Sequence, residues 1–153
     1  MPNGLALASL ILVAALVLCY VITLLLSLVL SPGHTKRKEL KKIVDNLDLK
    51  ENDTFVDLGC GDGRVVFGVA KKFKNVKCIG YEISPIQLMI ANLSKALCFP
   101  FSNRVQIIPQ DFTKADLSDV DVFYINWGSN VPPRLEEFRK ELKKEKGVTV
   151  VEL

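Results

Sequence analysis

None of the first 35 residues is Asp, Glu, Lys or Arg, and all the charged side chains, 20 basic and 17 acidic, fall between Lys36 and Leu153. From Leu5 to Leu30 the most polar side chains are Ser9, Cys19, Tyr20, Thr23 and Ser27. A helix of that length reaches roughly 39 Å, more than the ~30 Å hydrocarbon core of a bilayer, so it is long enough to span with tilt. A cleaved signal peptide would carry a basic leader and an apolar stretch of only about 7–15 residues. Met1–Gly4 has no basic side chain and the apolar run is too long. Residues 1–33 are therefore expected to form a retained transmembrane anchor, ahead of a chain with room for one domain.

Ser31-Pro32-Gly33 breaks the helix, and a basic lead-in follows over residues 34–50, with Lys36, Arg37, Lys38, Lys41, Lys42 and Lys50 against Glu39, Asp45 and Asp48. That excess equals the whole net charge of +3, and residues 51–153 balance to zero. The positive-inside tendency places the C-terminal part on the cytoplasmic side, or on the matrix side of a mitochondrial inner membrane. The lysines can also meet anionic headgroups, each worth about 1 kcal/mol near the surface. A charge-neutral domain argues against a nucleic-acid-binding face. Cys19, Cys60, Cys78 and Cys98 have neither C-x-x-C nor Cys/His spacing and read as reduced thiols, with no metal site. His34, the single histidine, sits at the membrane boundary and is given no chemical role.

Leu40, Ile43, Val44, Leu47 and Leu49 predict a short amphipathic helix over about 35–47. Strands are expected at 54–58, 76–81, 104–108, 120–125 and 148–153. Between them lie a helix with Val65, Val66, Val69, Ala70 and Phe73 on one side, a helix from Pro85 to about Leu97, and one from Pro132/Pro133 to about Lys144. Ile86, Met89, Ile90 and Leu93 are read as the apolar core face of the second of these. Alternating strands and helices predict a doubly wound α/β domain over residues 51–153, with a mostly parallel sheet and helices on both faces.

The first strand runs into Asp57-Leu58-Gly59-Cys60-Gly61-Asp62-Gly63-Arg64. In such sheets a ligand sits beyond the carboxyl ends of the strands, where strand order reverses. Glycines at 59, 61 and 63 allow a tight turn and are expected to present bare N–H groups to it. The dinucleotide pattern G-x-G-x-x-G is not met, since the sixth position from Gly59 is Arg64. Carboxylates in the loop would repel a pyrophosphate but suit a ligand bearing an ammonium and a sulfonium. Asp57 is expected to order the loop or to meet a bound amino group, and Glu82, at the end of the second strand, to accept both hydroxyls of a ribose.

VDLGCGDGR followed by GYEIS resembles the first two motifs of the class I S-adenosylmethionine-dependent methyltransferases, a Rossmann-like fold, over about residues 35–153. The resemblance implies S-adenosyl-L-methionine as cofactor, with Gly59, Cys60, Gly61 and Gly63 at its methionine moiety. It also implies Glu82 on the ribose, Ile83 against adenine, and Asp111-Phe112 at the adenine edge. Asp111 reads equally well as a helix cap. The anchor, the lead-in helix, D-L-G-x-G-D-G-R and Y-E-x-(S/N)-P are similar to the small membrane-anchored lysine methyltransferases acting on ATP synthase subunit c and the adenine nucleotide translocase. That similarity implies a membrane-protein lysine as acceptor.

After the fourth strand stands Asn126-Trp127-Gly128, where many amino-methyltransferases carry (D/N)-P-P-(Y/F). Asn126 is a candidate to accept a hydrogen bond from an attacking amine, and Trp127 to form an aromatic wall favouring a cationic lysine side chain. Both also fit a loop capping the next helix. The family sheet has seven strands, so this C-terminally short form implies a compact variant, a further stretch of chain, or an oligomer covering the open edge. The alternatives to a lysine methyltransferase are a non-catalytic cofactor-binding membrane module and an enzyme acting on a small molecule or lipid.

Overall fold

The computed structural model describes residues 4–30, 37–127, 131–145 and 149–152. The expected helix break at Ser31-Pro32-Gly33, together with His34, Lys36, Gly128, Ser129, Asn130, Lys146, Val148 and Leu153, lies outside the described residues. The chain divides into two units, Met1–Pro32 and Gly33–Leu153. The first is one helix, α1 (Gly4–Leu30), whose stretch Ala6–Leu24 is long and apolar enough to cross a membrane.

In the second unit the elements run α2 (Arg37–Asn46), β1 (Thr54–Leu58), α3 (Arg64–Lys72), β2 (Lys77–Glu82), α4 (Pro85–Cys98), β3 (Val105–Pro109), a 3-10 turn (Phe112–Lys114), β4 (Val122–Ile125), α5 (Pro133–Glu145) and β5 (Thr149–Glu152). All pairings are parallel, in the order β3-β2-β1-β4-β5. After β1 the chain builds outward through β2 and β3, then returns to place β4 on the other side of β1. Strand order thus reverses between β1 and β4, as the alternation of elements requires.

The two-residue period of β1 separates two cores. Phe55 joins Val44 of α2, Val66 and Val69 of α3, and Ala91 of α4. Val56 and Leu58 face the other way, with Phe123, Ile125 and Leu142 of α5. Helices therefore cover both faces of the sheet. α2 lies close on α3 because Gly68 has no side chain: a Cβ there would stand 3.1 Å from Leu40 Cδ1 and 3.3 Å from Val44 Cγ2.

α4 turns the opposite way from its sequence pattern. Its buried residues are Gln87 and Ala91, whereas Met89 is 47% exposed, Leu93 62% and Leu97 75%. Of the stripe read as a core face, Met89 and Leu93 point outward while Ile86 and Ile90 are half-buried at its margin. A small residue, Ala91, is what lets the helix approach the sheet edge.

Arg104, just before β3, donates to the carbonyls of Ala70 (2.8 Å), Phe73 and Val76 (3.2 Å each) around the end of α3. A guanidinium there meets both the unsatisfied carbonyls and the negative end of the helix dipole. Arg104→Met is expected to lower stability by about 2–3 kcal/mol. Urea unfolding of the full chain in detergent, followed by the emission of its single tryptophan, would measure this, and a loss of less than about 0.5 kcal/mol would mean that water replaces the guanidinium.

Candidate functional site

Gly59, Gly61 and Gly63 have φ of +90°, +55° and +79°, a region that side chains with a Cβ rarely adopt. The glycines turn the chain from β1 into α3, but their N–H groups are not bare. Gly59 and Cys60 both donate to the Tyr81 carbonyl (3.0 and 2.9 Å), Gly63 donates to the Cys60 carbonyl (2.9 Å), and Gly61 donates to Glu82 Oε2 (2.9 Å). The expectation of open donors is corrected, because a loop this close to β2 finds its acceptors there.

Glu82 is the centre of this arrangement. Its Oε1 accepts the N–H groups of Ile83 and Ser84 (2.8 Å each) while Oε2 accepts that of Gly61, so one carboxylate ties the glycine loop to the β2–α4 turn. Beside it, Asp57 is 3% exposed and pairs in register with Gly80 on one side and Tyr124 on the other. Burial, and then the carboxylates of Glu82 and Asp62, push the Asp57 pKa up to about 8. Asp62 is held by Arg64, whose Nε lies 2.9 Å from Asp62 Oδ1.

The expected site residues fall into two groups. Gly59, Gly61, Glu82, Ile83, Asp111, Phe112, Asn126 and Trp127 all lie at the carboxyl ends of β1 to β4, and Ile83 is exposed there. The Cys60 and Gly63 positions turn into the protein instead. A Cβ on Gly80 would stand 2.6 Å from Cys60 Sγ, so the thiol fills the space that Gly80 leaves, and burial drives its pKa far up. Gly63 packs on the Phe67 ring, 2.7 Å from where its Cβ would be.

Asp111 caps the 3-10 turn, accepting from Thr113 N (3.0 Å) and Thr113 Oγ1 (2.8 Å), and these bonds hold its pKa down. Phe112 and Trp127 stack on each other, centroids 5.3 Å apart at 12°. The Trp127 indole N–H donates to the Leu58 carbonyl (2.8 Å), and its ring passes 3.8 Å from the Cβ that Gly59 lacks. Trp127 thus closes the gap between β1 and β4 where strand order reverses.

Two residues escape sequence reading. Phe138 of α5 backs the stack, 5.8 Å from Phe112. Its signal was the spacing Leu135, Phe138, Leu142 in an otherwise charged helix. Gln87 lies beneath the glycine loop, with Oε1 3.9 Å from the Cβ position of Gly61. Its signal was a polar residue off the apolar stripe of α4, just after Pro85 at the start of the helix that follows Glu82.

Three carboxylates, one ion-paired and one buried, converge on a loop with room above Gly61. That fits a cationic amino acid and opposes a polyanion. If the ligand's ammonium pairs with Asp57, binding must displace the Asp57 proton below pH 8. Affinity for S-adenosylmethionine should then rise about tenfold per unit between pH 6 and 7, with close to one proton released. Calorimetry in buffers of different ionisation enthalpy measures the release, and Asp57→Asn should abolish it. The ligand-free fold carries the opposite linkage. Its buried acid titrates above that of the unfolded chain, so this contribution to stability falls as pH rises from about 4 toward 8.

The profile described as the ANTKMT methyltransferase domain matches residues 57–152. A protein-lysine N-methyltransferase of Saccharolobus islandicus (strain REY15A) is 31% identical over 112 residues, which cover 71% of this chain and 68% of that protein. A probable dimethyladenosine transferase of Dictyostelium discoideum is 36% identical over 85 residues, 55% of this chain but only 26% of that protein. In fold, an RNA methyltransferase from Salinibacter ruber, solved in complex with S-adenosyl-L-homocysteine, superposes with a TM-score of 0.63 at 24% identity, covering 77% of this chain and 75% of its own.

Proposed function

Because the chain belongs to the ANTKMT methyltransferase domain family, a class I S-adenosylmethionine-dependent methyltransferase, we propose that it methylates the side-chain amine of a lysine in a membrane protein and is held to the bilayer by α1. The observation that carries this reading is the acidic glycine loop with Glu82 at its centre. The lysine acceptor is supported by the likeness to the Saccharolobus protein-lysine N-methyltransferase. The bilayer is supported by the apolar length of Ala6–Leu24 and by the lysines of 36–42. By the positive-inside tendency the same lysines support a catalytic domain on the cytoplasmic side, or on the matrix side of a mitochondrial membrane.

Asp57 and Glu82 would hold S-adenosylmethionine by its ammonium and its ribose, with Ile83 against the adenine. When bound, it supplies an electrophilic methyl whose C–S bond breaks as the amine C–N bond forms. The protein's part is alignment, since an in-line displacement needs no acid or base once the amine is neutral. Lysine is ordinarily charged at neutral pH, so the acceptor must lose a proton before it reacts. The half-buried ring of Trp127, fixed by its bond to Leu58 and by Phe112, would be the wall that receives the side chain, and desolvation beside it favours loss of the proton. Asn126, at the end of β4, is positioned to accept a hydrogen bond from that nitrogen.

The test uses the full-length protein in nanodiscs with labelled S-adenosylmethionine and a membrane lysate, separated afterwards into protein, lipid, RNA and small molecules. Label should enter protein lysines, and Gly61→Arg or Glu82→Ala should cut transfer at least about a hundredfold by loss of cofactor affinity. Glu82→Ala also frees three N–H groups, so Glu82→Gln is the control that keeps their acceptor. Label in lipid or in a small molecule would replace the lysine acceptor, and cofactor binding without any transfer would make the chain a binding module.

A further inference from the structure

The apolar stripe of α4 holds exposed Met89, Leu93 and Leu97 with half-buried Ile86 and Ile90 along one side, all within about 100° of one another on a 3.6-residue helix. Phe101, just past its end, is 96% exposed. Between Pro85 and Phe101 the only charged residue is Lys95, and there is no acid. A soluble surface rarely keeps such a continuous apolar stripe, and one that does marks a contact.

Three observations favour a lipid surface as its occupant. Only six residues separate α1 from α2, a length of chain that reaches at most about 25 Å, so a bilayer that α1 spans is within reach of the domain. α2 and α4 both pack against α3, and α2 carries exposed Lys38, Lys41 and Lys42, suited to anionic headgroups. The stripe itself is apolar, ends in an aromatic residue and lacks acids, as helices lying in a membrane interface do.

We infer that the outer face of α4 is a second membrane contact, lying in the headgroup region of the bilayer that α1 spans. This rests on the anchoring proposed above. α4 starts three residues after Glu82, so the contact brings the site mouth to the membrane surface. The accessible acceptor is then a lysine near the headgroups.

The test is fluorescence of the full-length chain in phosphatidylcholine–phosphatidylglycerol vesicles. Cys19→Ala and Cys98→Ser leave the buried thiols of Cys60 and Cys78, and an environment-sensitive label is placed by Leu97→Cys, Phe101→Cys, Ser118→Cys or Leu12→Cys. Labels at 97 and 101 should lose most of their emission to a lipid quencher near the headgroups and little to aqueous iodide. The label at 118 should do the reverse, and the one at 12 should answer to a deep lipid quencher. Leu93→Asp with Leu97→Asp should abolish lipid quenching at 101 while leaving that at 12 and the Trp127 emission unchanged.

If the label at 12 is quenched by lipid but those at 97 and 101 by iodide, α4 lies in water, and the inference fails while the anchor stands. Protection of 97 and 101 from both quenchers would put protein over the stripe, a second copy or another partner, and also overturns it. A label at 12 that lipid cannot reach removes the anchoring and this inference with it.

Discussion

The top of the sheet is organised by one carboxylate. Glu82 accepts three backbone N–H groups from two segments, the glycine loop and the β2–α4 turn, so the shape of the loop depends on a side chain 21 residues away from Gly61. A carboxylate offers about four acceptor positions. With three in use, a ribose diol held as proposed above would compete with Gly61 for Glu82. The acid at the end of β2 is thus part of the loop's architecture, whatever it binds.

Around that acid the charges are graded. Asp62 is neutralised by Arg64 and serves the turn into α3. Asp57 is buried between Gly80 and Tyr124 and keeps its proton near neutrality for want of a cation. A cationic ligand changes this balance, since it supplies the positive charge that lets Asp57 ionise. On the proposed reading, selectivity for a sulfonium-bearing amino acid over a dinucleotide would arise from three acids in different settings, Asp62 ion-paired, Asp57 buried and Glu82 bonded to backbone N–H groups.

Much of this was legible before the fold was known, because it is carried by local signals. Acid-x-G-x-G-x-G between a strand and a helix, then an acid closing the next strand, specified the carboxyl ends of β1 and β2. Alternating elements specified parallel pairing. What was not legible depends on long-range contact. The N–H groups of Gly59, Cys60 and Gly61 looked open because their acceptors, the Tyr81 carbonyl and Glu82 Oε2, belong to a strand more than 20 residues away. Phe112, Trp127 and Phe138 were three separate aromatics in sequence, and only the return of β4 beside β1 joins them. Cys60 looked like a loop residue facing the ligand, but the missing side chain of Gly80 drew it inward.

α4 shows why periodicity alone cannot say which way a helix faces. A moment of apolar residues gives a direction around the axis but not its target, and water is only the commonest reason for burying it inward. Here the sheet edge accepts Gln87 and Ala91, which let the helix come close and reach under the glycine loop. The bulkier Met89, Leu93 and Leu97 are left outside. In a chain with no bilayer nearby, that choice would cost stability and solubility with no return. In a chain whose first helix is apolar enough to span one, the same stripe has a second solvent to face. The assignment of inner and outer surfaces then has to be made against lipid as well as water.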